Sequence, residues 1–133
     1  TKCNPSVWLL KNVNTLRILI GLETKYNKKD CNMTESVCGN DVVDSETCDI
    51  TNFPLQKWVC LNISLRSNVL DIFMDGNLVK SCILEGFPII NKGDLYICKD
   101  GGYNGYISNL KISNKALSTN EITKIYQAGP SLN

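Results

Sequence analysis

Histidine is absent from this chain of 133 residues. Ser-His, Cys-His and His-metal mechanisms are therefore excluded within it. A charge imbalance is missing too: 14 Lys and Arg stand against 13 Asp and Glu, a formal net charge of +1. Phosphate binding draws on a basic excess, so nucleic acid is not expected as the main partner. No apolar run reaches the roughly 18 residues that a spanning helix needs, so no membrane span is read in this segment. There is no Cys-x-x-Cys pair and no His, which argues against zinc. Alanine and arginine are scarce while Asn, Ile and Lys are abundant, a pattern that reads as AT-rich coding. What is present is a 43% hydrophobic, 20% charged chain. That length suits one domain with a true core. The balance favours a soluble binding or structural domain over an enzyme.

The seven cysteines are Cys3, Cys31, Cys38, Cys48, Cys60, Cys82 and Cys98. An odd number leaves at least one thiol free or paired outside this segment. Cys31, Cys38 and Cys48 share one polar stretch. Either a local bridge ties down a long loop there, or some of them are small buried apolar side chains. The chain begins at Thr1 without Met or a leader, so Thr1 is expected to be an internal boundary. A native polypeptide mass near 14.8 kDa would count against that expectation.

Alternation dominates the pattern. A short strand is predicted around Val7 and Leu9, with Trp8 on the other face. In Leu16 to Leu22, Leu16, Ile18 and Ile20 alternate with Arg17 and Leu19. Residues 23 to 52 are polar and lack a clear period. They read as a long excursion with a strand or two inside, and loops of that length are usually functional or tied down. From Trp58 the alternation returns through Leu65. A turn follows at Arg66-Ser67-Asn68, then a strand with Leu70, Ile72 and Met74 on one face. Asp75-Gly76 signals a type I′ hairpin. Leu78 to Leu84 is the return strand, so residues 58 to 84 form a three-stranded meander. In that register Cys60 and Cys82 lie too far apart to bridge. Further strands are predicted over Leu95 to Cys98 and Gly105 to Ile112, separated by the Asp100-Gly101-Gly102 turn. Ser118-Thr119-Asn120-Glu121 is a capping box that opens a short helix, and Gly129-Pro130 ends it. The class is all-β: an antiparallel sandwich or jelly roll with one short C-terminal helix.

These residues carry a resemblance. The run NFPLQKWVCLNISLRSNVLDIFMDGNLVKSCIL (residues 52 to 84) resembles the laminin-G-like, concanavalin A-like jelly roll: a Trp-led strand, a strand ending in Asp-Gly, a Leu-Val return strand. The tail DGGYNGYISNLKISNKALSTNEITKIYQAGP looks like the closing strand and helix of the same domains. The elements CDI, FPLQKW and VKSCIL look most like the version in structural proteins of nucleocytoplasmic large DNA viruses. The likeness covers about residues 48 to 130 well. Such domains usually begin with further strands that are not found before Thr1. The resemblance implies one laminin-G-like domain over residues 1 to 133 that lacks its N-terminal strands or is cut from a longer chain. It implies residence in a virion and other virion or capsid proteins as partners.

Candidate sites follow from the chemistry. A glycosidase of this fold class needs paired carboxylates on one strand face. Only Asp71 and Asp75 approach that, with Asp75 assigned to the turn and Asp71 to the solvated face, so no catalytic residue is expected. Ca²⁺ needs six to eight oxygen ligands. Weak candidates are Asp41, Asp44, Glu46 and Asp49 in the acidic stretch, with Asp94 or Asp100 elsewhere, against the simpler reading of solvated loop acids. A glycan or partner contact would use Asp100, Tyr103 and Asn104 of the DGGYNG turn. The competing reading is that Tyr103 packs across the turn, and that Trp8 and Trp58 are core or rim packing. Asn32-Met33-Thr34 and Asn62-Ile63-Ser64 are glycosylation sequons, left bare if the chain never enters a secretory route. The leading expectation is a non-catalytic packing or adhesion domain of a virus particle. The alternative is a lectin-like surface domain that binds glycan.

Overall fold

The computed structural model describes residues 4–23, 44–89 and 92–131. Among the described residues seven strands run in chain order: β1 (Ser6–Leu9), β2 (Leu16–Glu23), β3 (Asp44–Ile50), β4 (Leu61–Arg66), β5 (Val69–Met74), β6 (Asn77–Ile83) and β7 (Phe87–Pro88). One helix, α1, spans Thr119–Ala128. One sheet has the order β1-β2-β3, with β7 pairing the far end of β2. The other is the meander β4-β5-β6. All pairings are antiparallel.

The alternation read from sequence is what closes the sandwich. Leu16, Ile18, Ile20 and Leu22 of β2, with Cys48 and Ile50 of β3, meet Leu70 and Ile72 of β5 and Leu84 in one buried cluster. Because side chains alternate along a strand, this set comes from one face of each sheet. Leu61, Ile63 and Met74 pack against its margin. The β5–β6 turn has Asp75 at φ 50° and Gly76 at φ 82°, the two positive angles that a type I′ turn requires. Asp75 also closes the mouth of the meander, its Oδ1 accepting from the Cys60 amide at 2.9 Å.

The predicted capping box is present. Ser118 Oγ accepts from the Glu121 amide, and the Glu121 carboxylate accepts from the Ser118 amide at 2.7 Å. Those charge-assisted bonds hold the Glu121 carboxyl below its ordinary range. Ile122 is fully buried, and Tyr126 lies 3.3 Å from the point a Cβ on Gly76 would occupy. The helix thus rests against the β5–β6 hairpin. Ser118→Ala is expected to cost about 1 kcal/mol of helix stability, read as lost helical circular dichroism at temperatures below the main transition.

Three expectations change, and the strand expected within the polar excursion is present. The meander begins at Leu61 and not at Trp58, which is 46% exposed. Within the polar excursion, β3 is a true strand because Asp44 to Ile50 find a full ladder along β2. The strands predicted over Leu95 to Cys98 and Gly105 to Ile112 do not form. A strand exists only where its amides and carbonyls find a neighbour, and these runs are interrupted by Cys98 and Asn109, both at φ 54°. Asp71 is not solvated: its side chain is 14% exposed, takes a hydrogen bond from the Ser81 hydroxyl and lies 3.5 Å from Arg66 Nη2.

Candidate functional site

The DGGYNG turn is built for itself. Residues Lys99–Gly101 form a single 3₁₀ turn, and Tyr103 folds back over Gly105. A Cβ on Gly105 would stand 2.4 Å from the Tyr103 ring, so only glycine fits beneath it. The Tyr103 hydroxyl donates to the Tyr106 carbonyl at 3.1 Å. Burial, with a smaller contribution from Cys98, pushes the Tyr103 phenol above its ordinary value. Tyr103 therefore packs across the turn, the simpler of the two readings. Asn104 is exposed beside it, and Asp100 lies within the 3₁₀ turn.

Asp41 lies outside the described residues. Asp44, Glu46 and Asp49 belong to β3, and there Glu46 and Asp49 are of opposite parity, so alternation sends those two to opposite faces. Glu46 is opposite Ile20 and Asp49 opposite Arg17. Glu46 Oε1 accepts from the Glu85 amide at 2.7 Å, and Asp49 is held by Arg17. Among the described residues no group of three His, Cys, Asp or Glu is placed to hold a metal.

The cysteine expectation is also corrected. Cys48 does not serve a local loop bridge. Its side chain points into the core, 1% exposed, and bonds Cys82 of the other sheet across a Cα–Cα distance of 6.2 Å. Cys31 and Cys38 lie outside the described residues. Cys60 and Cys82 do not bridge; Cys60 and Cys98 are free thiols.

Sequence reading missed one surface feature. On the outer face of the first sheet, Trp8, Arg17 and Asp49 form a row across β1, β2 and β3. Trp8 is 43% exposed. Arg17 grips Asp49 with both arms of its fork, Nε to Oδ1 at 2.9 Å and Nη2 to Oδ2 at 2.6 Å. The hydrogen bonds from Arg17 hold the Asp49 carboxyl below its ordinary range. The same contacts hold the Arg17 guanidinium above its own. The signal was there in the alternation, since Trp8 and Arg17 both lie on the non-core parity of their strands. Register alone aligns them with Asp49.

The sign of the pH effect follows. A carboxyl whose pKa is depressed on folding adds stability that is present above its unfolded pKa, near pH 4. That stability is lost as pH falls through the depressed value. Relative to Asp49→Asn, the wild type is expected to lose stability on acidification below about pH 4, read from urea midpoints across pH.

A second polar row crosses the meander: Ser64 of β4, Asp71 of β5, Ser81 of β6. Ser64 is 7% exposed, and its hydroxyl has no hydrogen-bond partner among the described residues.

A run of exposed apolar side chains lies between β7 and α1 along the chain. Leu95, Tyr96, Ile97, Tyr106, Leu110 and Ile112 are each more than half exposed, Tyr106 at 85%. Lys99 Nζ sits 4.8 Å from the centroid of the Tyr96 ring. No helix among the described residues is long and apolar enough to cross a membrane.

Comparison with known proteins agrees with this architecture. Residues 13–123 match the laminin-G-type family model described as the concanavalin A-like lectin/glucanases superfamily. No curated protein matches. Among solved structures, the chain is similar to residues 221–444 of an S-layer domain-containing protein from Clostridium thermocellum. The identity is 18% and the TM-score 0.42, over 85% of this chain and 52% of that one. The chain thus spans about half of that structure. With two antiparallel sheets closed on one apolar core and a family match across most of its length, the chain belongs to the concanavalin A-like lectin/glucanases superfamily.

Proposed function

We propose that this chain is a non-catalytic packing domain of a large DNA virus particle, a minor capsid or virion-associated protein. The observation that carries the packing role is the exposed apolar set from Leu95 to Ile112 on a sandwich locked by a core disulfide. Singly exposed apolar side chains are ordinary, but six of them more than half exposed within one stretch of chain supply the material of a contact surface for another protein. The viral setting is supported by the resemblance of CDI, FPLQKW and VKSCIL to that group. In this reading the domain works by surface complementarity. Its rigid sheets present the segment, and neighbouring virion proteins bury it. Proteomics of purified particles is the test. The chain is expected among virion proteins, and Tyr106→Asp with Ile112→Asp is expected to lower its incorporation without unfolding it. Absence from particles that contain their other structural proteins would overturn the reading.

The row of Trp8, Arg17 and Asp49 favours a second reading, a lectin-like surface. An exposed indole offers a stacking face for a sugar ring, and the adjoining fork offers donors and acceptors for hydroxyls. A glycan array probed with and without chelator separates the two. The packing reading expects a blank array. Binding that persists with chelator and is lost in Trp8→Ala would establish the lectin reading.

A further inference from the structure

We propose that Cys48 and Cys82 are a substrate pair for a thiol-oxidising disulfide donor, with Cys82 as the cysteine that reacts with the donor first, and that their bond latches the two sheets. The bond does not stand alone. β3 is the edge of the first sheet and β6 the edge of the second. Along the seam between them run three cross-links in antiparallel order. Lys80 Nζ donates to the Asp49 carbonyl at 2.6 Å. Cys82 bonds Cys48. The Glu85 amide donates to Glu46 at 2.7 Å. Among the described residues the disulfide is the covalent member of this seam.

The two sulfurs differ in access. Cys48 is 1% exposed, whereas Cys82 is only partly buried on an otherwise exposed edge strand. A donor therefore reaches Cys82. The Cys82 thiolate attacks the donor disulfide, and one donor sulfur leaves as thiolate. The Cys48 thiolate then attacks Cys82 Sγ and expels the second donor sulfur. The protein loses two protons and two electrons, and the donor disulfide becomes a dithiol. Once the sheets close, Cys48 is sealed in the core and Cys82 is partly covered, which slows the reverse attack. The loop it closes has a sequence separation of 34. Loop-closure entropy for that length corresponds to roughly a several-hundred-fold gain in the folding equilibrium constant.

The test uses the whole chain. Reduced protein is pulsed with oxidised glutathione, quenched with acid and mapped by peptide mass spectrometry. A glutathione adduct on Cys82 is expected before any on Cys48, followed by a Cys48–Cys82 peptide. Dithiothreitol is expected to open that bond at least ten-fold more slowly in buffer than in urea. Reduction is expected to lower the urea midpoint. Adducts that form first on Cys48, a finished product with Cys82 free or bridged elsewhere, or an unchanged midpoint on reduction would each overturn the proposal.

Discussion

Ile18→Ala is expected to destabilise the domain by about 4 kcal/mol, within the range for truncating a fully buried aliphatic side chain. Ile18 is 0% exposed. It sits mid-strand in β2 with Val7 opposite on one side and Cys48 on the other. The lost methylenes leave a cavity, and neighbours on both sheets are held too firmly to fill it. Two features make collapse hard at this place. The disulfide fixes the Cys48 backbone relative to β6, and the ladder from Leu16 to Leu22 fixes β2 against β3. Urea unfolding should show a lower midpoint with an unchanged slope. Ile83→Ala provides the contrast. Ile83 is 75% exposed, and its truncation should stay within about 0.5 kcal/mol. Equal losses at the two positions would mean that the core is not where the alternation puts it.

Cys82→Ala should lower stability by about 4 kcal/mol, the loop-closure contribution of a cross-link of this span. A β-bulge is what places Cys82 on the core face. The β5–β6 ladder pairs Phe73 with Leu78 but Ile72 with Lys80, so Val79 is an extra residue in that bulge. Side chains alternate with a period of 2, and one inserted residue therefore changes the face of everything beyond it. With the bulge, Cys82 is opposite Leu70, on the core face. If Val79 were instead taken into an unbroken ladder from the same turn, Cys82 would fall opposite Val69 and point out to solvent. Deleting Val79 removes the extra residue and leaves Lys80 opposite Ile72 and Cys82 opposite Leu70. Non-reducing peptide mapping of the deletion variant should therefore still find the Cys48–Cys82 bond, and Val79→Ala should keep it as well. An open Cys82 thiol in the deletion variant would show that the lost residue is taken up elsewhere in the hairpin and not at the bulge.

These two cases show how far the residues alone reach. The core of β2, the type I′ hairpin at Asp75-Gly76 and the capped helix were legible because each is local. Period-2 alternation, a positive-φ turn pair and a Ser-x-x-Glu box act over a few residues and need no distant partner. The aromatic Tyr103 over its turn belongs to the same class. The sites were harder to read. Asp49 looks like one of several loop acids until the β2–β3 register sets it opposite Arg17. Glu46 and Asp49, three residues apart, look like co-ligands until strand geometry parts them.

The amino-acid sequence by itself determined a charge-balanced, histidine-free all-β domain and which faces of its best strands are apolar. Tertiary structure decided what those faces meet. It paired Cys48 with Cys82 across the sandwich, left Leu95 to Ile112 without a ladder, and drew Asp71 under Ser81 and Arg66. The physical reason is common to all three. A disulfide, a strand ladder and a paired carboxylate each depend on a second segment, and the position of that segment rests on register and bulges that no short window of residues encodes.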